Sequence, residues 1–144
     1  MTAATNPDQR EPAPRRDGSS LRVLVVEDEP DAAESLRQLL VLYGHQAEVA
    51  RDGAAALSLA EQFRPDVVFL DIGLPGKVDG LEVARQLGVR QEDGRTPLLV
   101  AVTGRGHPDD RRVSELAGIH LHVVKPADPE VLRVLLERFK AITC

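Results

Sequence analysis

The chain has 144 residues, 42% of them hydrophobic, and a formal net charge of −5. That is length enough for one domain with its own core, and the absence of a basic block excludes a nucleic-acid surface built from charge alone. The one cysteine, Cys144, is the last residue, which rules out an internal disulfide and suits a reducing cytoplasm; no apolar run nears the roughly 18 residues of a membrane span, and the N-terminus lacks the apolar segment of a signal peptide.

Residues 1–20 contain three prolines and no large aliphatic or aromatic residue after Met1. Such a segment buries too little surface to offset its ordering entropy, so a flexible tail is expected. Arg10, Arg15 and Arg16 are balanced by Asp8, Glu11 and Asp17, so the tail is not a basic arm. From Leu21 onward two kinds of segment alternate. A first strand is predicted at 22–26 (RVLVV). A helix over 30–43 follows, with Ala33, Leu36, Leu40 and Tyr43 at helical spacing, Pro30 in the first turn and Gly44 at the stop. A second strand at 46–50 (QAEVA) leads to an alanine-rich helix over 53–62, with Asp52 as its N-cap. A third strand at 66–70 (DVVFL) precedes a short helix at 80–89. A fourth strand at 98–102 (LLVAV) precedes another at 108–117, and a fifth strand at 121–125 (LHVVK) leads to a final helix at 129–140. In that helix Leu132, Leu135, Leu136 and Phe139 form one stripe.

Five strands alternating with five helices predict an α/β fold, a parallel sheet covered on both faces. The most apolar runs belong in its middle, and QAEVA, the least apolar, at an edge. One domain, residues 21–141, accounts for everything after the tail.

In such a sheet ligands bind beyond the carboxyl ends of the strands. The first strand ends in Glu27 and Asp28, the third in Asp71, the fourth in Thr103 and the fifth in Lys125. Three carboxylates on one rim repel each other, by about 4 kcal/mol per pair at ~4 Å and an effective dielectric near ~20. Lys125 offsets part of this. A divalent cation offsets more, and an oxygen-rich site favours Mg²⁺ or Mn²⁺, which also neutralises a transferring phosphoryl group. Plain structural roles exist for each residue: Glu27, Asp28 and Glu29 near a helix dipole, Asp71 in an Asx turn, Thr103 ending a strand, Lys125 as a solvated charge. Four strand ends with compatible chemistry together favour the functional reading.

The stretches VVEDEP, FLDIGLPG followed by Asp79 and Gly80, AVTGRG and VVKP, in this order and spacing, resemble the receiver domain of two-component response regulators from about Leu21 to Ala141. The resemblance implies a flavodoxin-like fold with strand order 2-1-3-4-5. It implies that Asp71 takes a phosphoryl group from a histidine kinase or phosphotransfer protein. Asp28 would bind Mg²⁺ directly, Glu27 directly or through water, and the Gly73 backbone carbonyl would complete the protein ligands; Thr103 and Lys125 would hold phosphoryl oxygens. The sequence departs from the family pattern in the loop GKVDG, one residue longer than usual. It also has a small residue at Gly73, Arg105 two positions after Thr103, and His122 where an aromatic residue commonly swings inward on activation. His45, His107 and His120 read as ordinary surface residues.

The expected function is a phosphorylation-dependent signalling switch rather than a turnover enzyme. The chain stops after the fifth helix, so output through a protein partner or homodimer is expected, using the face of the fourth helix, fifth strand and fifth helix. No nucleic-acid or membrane partner is expected, and Met1 favours a complete N-terminus. The alternative is a Mg²⁺-dependent phosphatase or other hydrolase on a similar sheet, although the residues after Asp71 lack the second acid of dehalogenase-type phosphatases. A flavodoxin-like cofactor module is disfavoured, because no Gly-rich phosphate loop follows the first strand and tryptophan is absent.

Overall fold

The computed structural model describes residues 20–71, 80–88, 96–103 and 117–143. Five strands form one parallel sheet: β1 (Arg22–Val26), β2 (Gln46–Ala50), β3 (Val67–Asp71), β4 (Leu98–Thr103) and β5 (Leu121–Val124). Their order is β2-β1-β3-β4-β5, the flavodoxin-like arrangement. The least apolar strand, β2, stands at one edge, as its composition predicts. The described helices are α1 (Pro30–Leu42), α2 (Gly53–Phe63), α3 (Gly80–Leu87) and α4 (Pro129–Thr143). The last is the fifth helix of the sequence pattern. The predicted helix at 108–117 lies outside the described residues except for Ala117, as do the tail up to residue 19, Arg105, His107 and Cys144.

Strand alternation divides the core into two layers. Leu24, Val26, Val68, Leu70, Leu99 and Ala101 face one side, with Ala56 of α2 and Val83 of α3. Val23, Val25, Val67, Phe69, Val100 and Val102 face the other, with Leu40 of α1 and Leu132 and Leu136 of α4. Both faces of β1 are buried, which is why Val23, Leu24, Val25 and Val26 form an unbroken apolar run after Arg22.

Local chemistry sets the helix ends. Glu29 caps α1 by accepting from the Ala32 N–H at 2.9 Å, and Asp52 caps α2 by accepting from the Ala55 N–H at 2.7 Å. Gly44 ends α1 at φ 94°, and a Cβ there would meet nothing within 4 Å. Its requirement for glycine is therefore conformational rather than steric crowding. At the N-terminal end of the sheet, buried Arg22 opens β1. Its N–H donates to Asp66 Oδ2 at 2.8 Å and its Nε to the Arg64 carbonyl at 3.0 Å.

His45 corrects the sequence reading. It is only 5% exposed, and its Nδ1 accepts from the Leu21 N–H at 3.1 Å. It is a buried fastener between the α1–β2 turn and the start of β1. His120 is exposed as expected, and its Nδ1 accepts from the Leu99 N–H at 3.0 Å.

Candidate phosphoacceptor and metal site

Parallel pairing in register carries the carboxyl ends of β1, β3 and β4 to one rim. Asp71 is itself the last residue of β3, opposite Val102, and Thr103 is the last of β4, opposite Val124. Lys125 follows directly. The Glu27 N–H donates to the Ala50 carbonyl at 3.0 Å, so the chain leaves β1 still pinned to β2 while its carboxylate turns into the rim.

Lys125 Nζ lies 3.0 Å from Glu27 Oε1 and 3.0 Å from Asp71 Oδ2. Oxygens of Glu27, Asp28 and Asp71 all lie within 4.8 Å of one another. Four of the rim residues singled out from the sequence are thus brought together. The Thr103 side chain and all of Gly73 lie outside what the structure describes. His122 pairs with Ala101 across β4 and β5 and is half-buried. It alternates to the sheet face opposite Val123, which packs with Leu132 and Leu136 of α4.

Burial differs across the cluster: Glu27 is buried, Asp71 half-buried and Asp28 exposed. Burial pushes the Glu27 carboxyl above its ordinary pKa, only partly offset by its hydrogen bond from Lys125. Burial also works against the Lys125 ammonium, but its hydrogen bonds to Glu27 and Asp71 outweigh this and raise its pKa. Three carboxylates around one ammonium leave negative charge uncompensated. An all-oxygen donor set carrying that charge fits a hard divalent cation.

Arg51, directly after β2, also reaches the rim, and nothing in its local sequence marks it as a site residue. Its Nε and Nη2 each donate to the Asp28 carbonyl oxygen at 3.2 Å. Beside the cluster, a largely apolar groove of about 650 Å³ opens between α1 and α4. Leu36, Leu39 and Leu132 line it, and Glu27 and Lys125 stand in its wall.

A family model described as the response regulator receiver domain matches residues 23–137. The chain belongs to the response regulator receiver family. Response regulator MprA of Mycobacterium sp. (strain KMS) is 40% identical over 122 residues, 85% of this chain and 50% of that protein. The transcriptional regulatory protein TrcR of Mycobacterium tuberculosis is 41% identical over 118 residues, 82% of this chain and 44% of that protein. This receiver chain therefore spans about half the length of the curated relatives it matches. Because one of them is named a transcriptional regulator, the expectation of no nucleic-acid partner gains no support here. Among solved structures, the receiver domain of sensor histidine kinase PA1611 from Pseudomonas aeruginosa PAO1 has a magnesium ion coordinated in its active site cleft. It aligns with TM-score 0.73 at 29% identity, covering 85% of this chain and 98% of that one. Chemotaxis protein CheY4 of Vibrio cholerae aligns with TM-score 0.74 at 27% identity, covering 83% and 98%. Among the described residues, no helix is long and apolar enough to cross a membrane.

Proposed function

We propose that this receiver domain is a cytoplasmic phosphorylation switch that accepts a phosphoryl group on Asp71 from a histidine kinase or histidine phosphotransfer protein. One observation carries the reading: a strand-end aspartate, held by Lys125, shares a 4.8 Å cluster with Glu27 and Asp28. The Asp71 carboxylate attacks phosphorus of the donor phosphohistidine. An O–P bond forms as the N–P bond breaks, and the departing imidazole keeps the electron pair and takes up a proton. The Lys125 ammonium, raised in pKa and so firmly charged, shifts from carboxylate to phosphoryl oxygen, and the Thr103 hydroxyl takes another. Mg²⁺, or Mn²⁺ in its place, held by Asp28, Glu27, Asp71 and the Gly73 carbonyl, would neutralise charge on the transferring group when bound. The same residues later admit water for dephosphorylation, so the domain resets itself without being a turnover enzyme.

The apolar groove between α1 and α4 offers the phosphodonor protein a foothold beside the carboxylates. For output, Leu121 and Val124 of β5 are 42% and 53% exposed. That apolar edge supports a partner or homodimer on the β5 side of the molecule, with His122 as the element that moves when Thr103 turns toward the new oxygens. Arg111 and Arg112, in the predicted helix at 108–117, lie outside the described residues.

Incubation with acetyl phosphate and Mg²⁺ should add one phosphoryl group, read by intact mass. Asp71→Asn should abolish the addition, because an amide is not a nucleophile here. Undiminished labelling of the variant would rule the assignment out.

A further inference from the structure

Among the described residues, the rim carries a cation that the proposed chemistry does not use. Arg51 stands immediately after β2, whose register with β1 (Val26 opposite Ala50) delivers it alongside Glu27 and Asp28. Its guanidinium gives two N–H bonds to one acceptor, the Asp28 carbonyl oxygen, each at 3.2 Å. That carbonyl belongs to the Asp28–Glu29 peptide. The N–H of the same peptide donates to Glu27 Oε2 at 3.2 Å.

The peptide is thus gripped at both ends, by a cation on its oxygen and an anion on its hydrogen. Both charges are aligned with its dipole, the favourable orientation for charge-assisted bonds that polarise one another. Turning this peptide breaks all three bonds and re-aims two carboxylates at once: Asp28, whose own ψ it contains, and Glu27, which it holds. Asp28 and Glu29 are exposed, so packing does little to fix them. The Glu29 side chain is committed to capping α1.

We propose that Arg51 is a positioning residue for the divalent-cation site, setting the Asp28–Glu29 peptide so that the Glu27 and Asp28 carboxylates converge before the ion arrives. The inference rests on the proposed reading that this cluster binds Mg²⁺. It makes a prediction of unusual sign. A guanidinium acting only as a nearby positive charge repels a cation, so its removal would tighten Mg²⁺ binding. A guanidinium acting through the peptide preorganises the site, so its removal loosens binding.

The test is a calorimetric Mg²⁺ titration of the full chain, wild type against Arg51→Ala and Arg51→Lys. Arg51→Ala should weaken Mg²⁺ binding about three- to tenfold. Arg51→Lys keeps the charge but loses the two-pronged geometry and should recover only part of the loss. In a parallel assay with acetyl phosphate, the Mg²⁺ concentration for half-maximal phosphorylation should rise by the same factor, while the rate at saturating Mg²⁺ stays within about twofold. Unchanged or tighter Mg²⁺ binding in Arg51→Ala overturns the proposal. A wild type that binds Mg²⁺ but is not phosphorylated overturns the switch reading and leaves Arg51 standing, whereas a wild type that binds no Mg²⁺ overturns both.

Discussion

At the scale of single residues, like charges crowd together at the rim. Lys125 bridges Glu27 and Asp71, while exposed Asp28 stands within the same cluster and adds a third negative charge. Asp28→Asn removes that charge without leaving Lys125 unpartnered. The metal-free variant should therefore melt a few degrees higher than wild type in a thermal scan, while its Mg²⁺ affinity falls. A lower melting temperature for Asp28→Asn would mean that repulsion does not govern the empty site. The identities of these residues were legible from the sequence, because each stands directly after an apolar run and strand ends converge in this fold class. Arg51 was not legible. Nothing in an arginine after a weakly apolar strand reveals that its acceptor is a backbone carbonyl more than twenty residues earlier.

At the scale of elements, short-range rules account for most boundaries. Asp52 caps α2 where its spacing predicts, and Glu29, read only as a favourable charge near the helix dipole, proves to be the side-chain cap of α1. The stripe on α4 sorts by depth. Leu132 and Leu136 are fully buried, and Leu135 and Phe139 pack against that cluster only in part. Leu136→Ala should therefore lower unfolding free energy by about 3 kcal/mol, and Leu135→Ala by about 1 kcal/mol, in urea titrations. Equal losses would show that the helix seats differently on the sheet. Helix α4 runs to Thr143, beyond the predicted end at 140, and i to i+3 and i+4 pairs of Arg133 with Glu130 and Glu137 strengthen its exposed face. Tyr43 Oη donates to the Pro129 carbonyl at 3.1 Å, tying the end of α1 to the start of α4 across the groove.

Over the whole molecule, the end of the sheet opposite the acidic rim depends on His45. Burial pushes its pKa below the ordinary 6.5, with the positive charge of Lys140 on α4 acting the same way and Glu137 opposing. The folded protein consequently binds fewer protons than the unfolded chain as pH falls past the ordinary imidazole value. Stability is full above about pH 6.5 and declines below it, toward the lower folded pKa. Protonation of Nδ1 also removes the acceptor for the Leu21 N–H. Melting temperature should drop more steeply between about pH 6.5 and pH 5 in wild type than in His45→Asn, whose amide oxygen accepts a hydrogen bond but does not titrate. Parallel slopes would place the acid sensitivity elsewhere, with the rim carboxylates as the next candidates.

The sequence by itself determined the alternation of strands and helices, the choice of β2 as an edge and the meeting of Glu27, Asp28, Asp71 and Lys125 at one rim. Those properties follow from hydrophobic period, proline and glycine placement and the parity of strand ends, all local along the chain. Only the tertiary structure decided that Lys125 is shared between Glu27 and Asp71, that Arg51 and Glu27 grip one peptide from opposite sides, and that His45 is buried against Leu21. Each of these depends on partners brought together from separate elements, and a histidine or arginine has the same local sequence signature whether its partner is water or a backbone group across the sheet.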